Sequence, residues 1–576
     1  MKKSFLKNIT IIKMLRKEVL DRIFWAFIAF TCVLYGYLLI PNYDDGQYFY
    51  HIYNTIRFYN PFYNDYFGQY FHFMKPTTIL YALLYSISGN TSFRLIALIQ
   101  SVEIFVCTWL MYLCARRYAS EEVSKAGALM FLYLVLAHYW LTPTRPETTV
   151  LLCSIAVFWL CECFSATNKT TYLVIASAIV FLIAIPMHTN GSIPLIYLIL
   201  YTLTRRHQLS RISLSRLGVF SVVLATLGFV ILVYPNISSL AESLALFSYD
   251  SKRFDMFQGE YRRIKWFVRH YYFFPWVVFI VSVFCGCLFH GYRELKLTSF
   301  QKYLNIILFL LAVVLGLGVL PSATHGIYTV YYYLPLVLGF SIAFDFYARR
   351  DFSHYLKRLI LVVAGVLTLW YSYGIMPKLH NLLYTGPFFL TAVLIRRISA
   401  MQTMLIIVIP MLLFRTVGMV SSKIIYDRAE QKIKEAPGLV LANPLFNYSG
   451  KNVFPVSGSE TQIRSSQDTT TIELKSVADE KVDKIKAHPL VKFFGSTNNS
   501  DKNSKWAARR NLGSEFQVID HHGKWKISDY IESQVNPLNY SIINEIPLSK
   551  KRLDRYASRG MKKLKFIEYR CISPKP

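Results

Sequence analysis

Apolar residues come in blocks of about 20 along this chain, separated by short polar connections that are often basic. A block of that length forms a helix that crosses the hydrocarbon core of a bilayer and satisfies its own backbone there. The first block holds 19 uncharged residues, from Ile23 to Pro41. It is too long for the apolar region of a secretory signal, and no small-residue cleavage site follows, so it reads as an uncleaved first membrane helix. Further runs lie near residues 93–115, 126–142, 149–164, 172–186, 192–204, 217–235, 271–290, 303–320, 328–347, 359–376, 382–395 and 402–419. Together they predict about thirteen spans. Lys75–Ser88 is only about 14 residues long and suits a re-entrant or interfacial helix. After about residue 427 the pattern changes to short alternating and turn-rich stretches, such as Ile472–Val477 and Lys492–Lys502. The expectation is an α-helical polytopic membrane protein with a small β-rich or α/β C-terminal domain outside the cytoplasm.

Composition sharpens this. The chain has 576 residues, 54% hydrophobic and 17% charged, with a mean hydropathy of +0.33. That leaves too little polar surface for several soluble domains and too much apolar residue for disorder. The net charge is +29. Such an excess often signals nucleic acid, but here its distribution reads as topology. Met1–Arg22 carries seven Lys/Arg. With the N-terminus placed in the cytoplasm and the spans alternating, cytoplasmic segments hold 24 of the 37 basic residues before position 427. Among them are Arg116, Arg117, Lys125, Lys169, Arg205, Arg206, Arg396 and Arg397, the positive-inside pattern.

The expected organisation is a basic cytoplasmic stretch over residues 1–22 and a transmembrane domain over 23–426, with a large first external loop at 42–92. A C-terminal domain over 427–576 follows in the periplasm. The expected location is the inner (plasma) membrane of a bacterium. The last 26 residues carry nine Lys/Arg and two acids, which reads as a solvated face or a contact with the membrane surface.

Eight of the nine cysteines sit in apolar runs, and no Cys/His spacing reads as a zinc site. Cys161, Cys163, Cys285 and Cys287 read as small apolar residues facing lipid or core. Glu103 and Glu162 lie inside spans, where they either couple ions or pair internally near helix ends. No Walker A and no glycine-rich nucleotide loop occurs, which disfavours ATP or a nucleotide sugar.

On the predicted topology, the remaining polar outliers of the membrane half collect on the external face. Tyr43-Asp44-Asp45-Gly46 follows the first span. Two adjacent carboxylates repel each other, so that one is held by cations while its neighbour acts as a base; alternatively this is an ordinary solvated turn. The loop after it is dense in Tyr and Phe, as interfacial anchors are; flat aromatic walls also suit sugars and prenyl chains. Lys75-Pro76 opens the interfacial helix, where a lysine either snorkels or meets a phosphate. Thr142-Pro143-Thr144-Arg145-Pro146-Glu147 holds a charged pair: a salt bridge at the start of the next helix, or Arg145 on an anionic donor. His188-Thr189-Asn190-Gly191 and Ser322-Ala323-Thr324-His325-Gly326 each place a histidine beside a glycine that permits close backbone approach. Arg262, Arg263, Lys265 and Arg269 break the positive-inside pattern and ask for an anion, either lipid headgroups or one bound lipid phosphate.

With these motifs the chain resembles the GT-C class of polytopic glycosyltransferases. Within it, the arrangement is most similar to the mycobacterial cell-wall arabinosyltransferases and related arabinofuranosyltransferases, including pilin-modifying ones. The resemblance rests on Asp44-Asp45-Gly46 with the aromatic stretch after it, on Arg145-Pro146-Glu147 before an apolar helix, and on His188-Thr189-Asn190-Gly191. It covers roughly residues 23–330. The two-aspartate motif is shared across many GT-C enzymes; the Arg-Pro-Glu element is more specific. The C-terminal region is far smaller than that of the mycobacterial enzymes, which favours a protein or short glycan acceptor over polymer extension. The Lys-Pro element is also similar to aminoarabinose and protein-mannosyl transferases.

The resemblance implies transfer of a sugar, D-arabinofuranose first, from a polyprenyl-phosphate donor to a hydroxyl on a periplasmic glycan or a pilin-like protein. It implies Asp44 as general base, with Asp45 as its partner or as a ligand of a substrate hydroxyl. Lys75, Arg145, Glu147, His188, Asn190, Arg262, Arg263 and His325 are the candidate contacts to donor and phosphate. The expected partners are membrane lipid, the lipid-linked donor and the acceptor, with no nucleic acid. No cofactor is required beyond the lipid-linked substrate. Two adjacent aspartates also suit a divalent ion, which the resemblance does not demand. Two other classes fit parts of the pattern. One is an O-antigen-type polymerase or ligase acting on lipid-linked oligosaccharide, suggested by the basic 236–270 loop. The other is a flippase or transporter of lipid-linked sugar.

Overall fold

The structure is a computed structural model. It describes residues 2–41, 93–138, 143, 145–230, 234, 261, 265, 274–291, 300–319, 326–348, 352–373 and 378–435, with shorter pieces after that. Helices dominate these residues. They are α1 (Lys2–Leu38), α2 (Phe93–Ala115), α3 (Glu121–Ala137), α4 (Glu147–Thr167), α5 (Thr171–Ile179), α6 (Ser192–Thr204) and α7 (Arg211–Gly228), then α8 (Phe274–Gly291), α9 (Phe300–Val319), α10 (Tyr333–Ala348), α11 (His354–Tyr373), α12 (Lys378–Leu394) and α13 (Ala400–Glu435).

Each apolar run read from the sequence overlaps one of these helices. Among the described residues six segments are long and apolar enough to cross a membrane: Glu18–Leu38, Phe93–Ala115, Glu147–Thr167, Tyr328–Ala348, His354–Tyr371 and Ala400–Val420. Twenty-one helical residues rise about 31 Å, which matches the hydrocarbon thickness of a bilayer. Several other described helices are apolar but shorter. Lys75–Ser88 lies outside the described residues.

Contacts between helices fix an up-and-down order. At one end Lys125 of α3 bonds Asp21 of α1, and Tyr118 after α2 donates to Glu162 of α4 at 2.9 Å. The Ser120 N–H meets Asp345 of α10 at 2.9 Å. Arg358 of α11 meets the Ala392 carbonyl of α12 at 3.1 Å, and the Met401 N–H of α13 meets Glu122 at 3.0 Å. At the other end Gln100 of α2 donates to Thr148 of α4 at 2.9 Å. There Arg94 and Lys423 stand over the Tyr37 ring at 5.4 and 5.6 Å, and both pair with Asp427. The connections after α2, α4, α6 and α12 turn at the first end and carry Arg116, Arg117, Lys169, Arg205, Arg206, Arg396 and Arg397. The first end is therefore the basic one, and charge density separates the two faces of the bundle.

Local chemistry explains the boundaries. Pro146 precedes α4, where its missing N–H costs nothing, and Glu147 in the first turn faces the positive end of the helix dipole. Asn168 ends α4 in the left-handed region (φ 56°), with its N–H on the Phe164 carbonyl. Gly36 lets α1 approach α2: an added Cβ would collide with the Ser101 hydroxyl and the Ala97 carbonyl. Ile104, Met111, Phe131, Phe158, Tyr197, Phe309 and Phe344 form part of one continuous core. Cys32, Cys107, Cys114, Cys153, Cys161 and Cys163 are free thiols buried in the bundle, and Cys285 is exposed on α8.

Glu103 and Glu162 are internally paired. Thr149 donates to Glu103, and Glu162 accepts from Tyr118 and from the Asn305 amide. Both carboxylates sit between helices and join them.

α13 runs to Glu435 and so continues through residue 427, where the sequence pattern placed a boundary. Beyond it, strands Val440–Ala442 (β1), Val453–Pro455 (β2), Tyr540–Ile546 (β5) and Phe566–Cys571 (β6) pair in the order β2-β1-β6-β5. Strands Thr461–Ser465 (β3) and Thr470–Leu474 (β4) form an antiparallel pair. β4 falls on the start of the alternating stretch noted at Ile472.

Candidate functional site

The end of the bundle opposite the basic connections gathers the polar residues that the sequence singled out. Glu147 has 0% side-chain exposure, at the first position of α4, while Arg145 keeps 18%. The Arg145 guanidinium grips both carboxylate oxygens: Nε lies 3.1 Å from Oε1 and Oε2, and an Nη lies 2.6 Å from Oε1. A two-pronged contact of this kind fixes the plane of the guanidinium.

His188 and Asn190 arrive from the neighbouring hairpin. After α5 the chain makes a π turn over Val180–Ala184 and a last helical turn over Ile185–Met187 that contains Pro186. The π turn inserts an extra residue and shifts the register of the helical turn after it. The chain then folds tightly. The Asn190 N–H donates to His188 Nδ1 at 3.1 Å, and the Gly191 N–H reaches the His188 carbonyl at 2.8 Å. Gly191 packs on the backbone of Ala184, where no Cβ fits. Gly191→Ala is therefore expected to destabilise the protein by about 1–3 kcal/mol through forced backbone movement, read as a lowered thermal midpoint. A midpoint equal to wild type would show that the hairpin yields.

Both side chains are buried. The Asn190 amide donates to the Tyr331 hydroxyl at 3.5 Å, and the His188 ring lies 6.3 Å from that of Tyr328. Tyr328 and Tyr331 are nearly parallel, 9° apart. Burial pushes the His188 imidazole down to about 4; the Glu147 carboxylate counteracts this and Arg145 adds to it. His188 is thus a neutral ring at physiological pH, and a hydrogen-bonding group in place of a cation. Its lowered pKa gives a pH dependence of definite sign. Between the ordinary histidine pKa of about 6.5 and the folded value, the unfolded chain binds a proton that the native chain does not. Stability therefore falls as pH drops through that window. The contribution is about 2 kcal/mol between about pH 8 and about pH 5. Thermal midpoints of wild type and His188→Gln across this range should converge as pH falls; parallel curves would contradict the assignment.

The structure thus joins Arg145 to Glu147 and His188 to Asn190, with the two pairs within electrostatic reach of each other. Asp44, Asp45, Lys75, Arg262, Arg263 and His325 lie outside the described residues. Residues 42–92, which include Asp44 and Asp45, are flanked by Pro41, just past α1, and Phe93, which opens α2. Both roots lie at the same end as Arg145, by the Tyr37–Arg94 and Gln100–Thr148 contacts. Among the described residues no group of three His, Cys, Asp or Glu could hold a metal ion.

Four residues of this end carried no distinguishing signal. Tyr328, Tyr331 and Tyr333 belong to an aromatic run that reads as core, and His138 lies inside the apolar run at 126–142. His138 Nδ1 lies 2.7 Å from the Tyr333 hydroxyl in a buried pair. A tyrosine-rich start to an apolar helix beside a lone histidine was the available clue.

No protein-family model and no curated protein matches this chain.

Proposed function

We propose that this protein is a membrane glycosyltransferase of the GT-C type that moves a sugar, D-arabinofuranose in the first instance, from a polyprenyl-phosphate donor to an acceptor hydroxyl. In this reading about thirteen helices cross a bacterial inner membrane, and the basic end faces the cytoplasm. The sheet-forming region after α13 belongs to a periplasmic domain that meets a glycan or pilin-like acceptor. The observation that supports it best is the placement of Arg145. A partly exposed guanidinium is clamped by a wholly buried carboxylate, at the end of the bundle from which the Asp44-Asp45 loop departs.

The chemistry follows from those groups. Asp44 accepts the proton of the acceptor hydroxyl as its oxygen attacks the anomeric carbon, and Asp45 orients the hydroxyl. The bond from that carbon to the phosphate oxygen breaks on the opposite side, so configuration inverts. Charge grows on the departing phosphate. Arg145 stabilises it there, helped by Lys75, Arg262 and Arg263. Glu147 has a different part from the one its motif suggested. It is bonded to Arg145 and excluded from solvent, and a second anion would repel a phosphate, so it serves as a positioning residue. His188 and Asn190, uncharged and mutually bonded, suit sugar hydroxyls better than phosphate.

The test is incubation of purified protein in lipid nanodiscs with synthetic polyprenyl-phosphoryl-arabinofuranose, -mannose and -glucose and, as hydroxyl acceptors, short glycans and Ser/Thr-containing peptides, with and without EDTA. Release of free polyprenyl phosphate from one of the three is expected, and loss of release in EDTA would add a divalent ion. Absence of release from all three by folded protein counts against the transferase reading.

A further inference from the structure

The same end of the bundle holds a second polar cluster that the transfer chemistry above leaves unused. Trp276 opens α8 and is fully buried, 5.4 Å ring to ring from Tyr133 of α3. Among the described residues its indole N–H meets no acceptor. An indole nitrogen can only donate, so a buried one without an acceptor is costly unless something arrives to accept. His138 and Tyr333 form a buried hydrogen bond with the His138 ring edge-on to Tyr333, and Tyr333 lies within electrostatic reach of Tyr133. None of these four side chains is an acid, a lysine or an arginine.

The segment carrying the tyrosines links this cluster to the charged one. Tyr331 and Tyr333 are two residues apart, Tyr331 in the 3-10 turn Gly326–Tyr332 and Tyr333 at the start of α10. The Tyr331 hydroxyl is turned to Asn190 and the Tyr333 hydroxyl to His138. One short stretch of chain thus meets the uncharged Asn190, which stands with His188 beside the Arg145–Glu147 ion pair, on one side and an aromatic cluster on the other. A polyprenyl-phosphoryl sugar has the same division: an anionic phosphate next to a ring with apolar faces and neutral hydroxyls. Phosphate is favoured beside a guanidinium. A sugar ring is favoured on aromatic faces with a donor for its oxygens.

We propose that Trp276, Tyr133, Tyr333 and His138 form the subsite for the sugar ring of the donor, with the indole N–H donating to a ring hydroxyl or ring oxygen. This rests on the transferase reading and adds to it a residue-level division between sugar and phosphate.

The experiment compares equilibrium binding of bare polyprenyl phosphate with that of its arabinofuranosyl, mannosyl and glucosyl forms. The full-length protein in nanodiscs is used as wild type, Trp276→Phe, Tyr333→Phe and Arg145→Gln. Wild type should bind at least one sugar-bearing lipid about tenfold more tightly than the bare lipid, a gain worth one good hydrogen bond. Trp276→Phe should erase that gain and leave the bare-lipid affinity unchanged, whereas Arg145→Gln should weaken both. Tyr333→Phe, which removes a single hydroxyl, should reduce the gain and decides the matter if Trp276→Phe does not fold. A gain that survives both aromatic variants overturns the subsite while leaving the transferase reading in place, and so does an equal fall for bare and sugar-bearing lipids. Absence of any gain in wild type overturns the donor reading and the subsite with it.

Discussion

Glu147→Gln should lower the stability of the protein by about 3 kcal/mol and cut its affinity for polyprenyl phosphate as well. The reason lies in the asymmetry of buried pairs. Glu147 is wholly buried and bonded through both oxygens to Arg145. Glutamine keeps the size but not the charge, so the guanidinium keeps its desolvation and loses its counter-ion. Removing one member of a buried pair costs about 3–5 kcal/mol for this reason, even where the intact pair contributes little net stability. The released Arg145 also loses the fixed plane in which it would present itself to a phosphate. The double variant Arg145→Gln with Glu147→Gln separates the two effects. It should recover much of the stability, because no unpaired charge remains, and none of the phosphate affinity. Unfolding midpoints and lipid binding measured across the four proteins give the cycle. A wild-type midpoint for Glu147→Gln would mean that Arg145 does not depend on it.

Asp44→Asn should have the larger effect on rate. If Asp44 takes the acceptor proton, its amide cannot, and general-base loss slows such steps by about 10²–10⁴-fold. On the expected external loop the unfolding midpoint should hardly move, since a surface substitution of this size is worth about 0.5 kcal/mol or less. Asp45→Asn should slow transfer less, since it orients the hydroxyl and does not receive the proton. Full transfer by both variants, in protein with a wild-type midpoint, would remove the base assignment. This expectation and the one for Glu147 separate cleanly: on the proposed roles Glu147→Gln changes stability and ligand binding, and Asp44→Asn changes the chemical step.

The helices were legible as apolar runs, and six of the described segments are long and apolar enough to cross a membrane. Every apolar run overlaps a helix, and the alternation of Lys/Arg-bearing connections matches the end at which those connections turn. Arg145-Pro146-Glu147 was legible as a helix start carrying an ion pair, because proline and a first-turn acid both have local physical causes. The joining of that pair with His188 and Asn190 was not. It depends on the π turn at Val180–Ala184, and a π turn inside an apolar run leaves little trace beyond Pro186 and the need for glycine at 191. Glu103 and Glu162 were recognised as buried carboxylates; their partners Thr149, Tyr118 and Asn305 come from other helices and carry no marker in one chain. Tyr331, Tyr333, His138 and Trp276 were hidden for a related reason. A buried aromatic that packs and a buried aromatic that also holds a polar group look the same in sequence. α13 outlasts the apolar run at 402–419 by a polar segment to Glu435, which Lys423, Asp427 and Arg94 tie back to α2 and which hydropathy alone does not mark.

The most direct test of the central claim uses sealed proteoliposomes that contain wild type or Asp44→Asn, loaded with the polyprenyl-phosphoryl sugar that binds best and supplied on both sides with short-glycan and Ser/Thr-peptide acceptors. Transfer and transbilayer movement of the lipid are followed in the same vesicles. The transferase account predicts release of polyprenyl phosphate by wild type, its loss in Asp44→Asn, and no acceleration of lipid movement by either protein. Rapid movement of the intact donor through both proteins, with no release by either, would contradict it and identify a flippase.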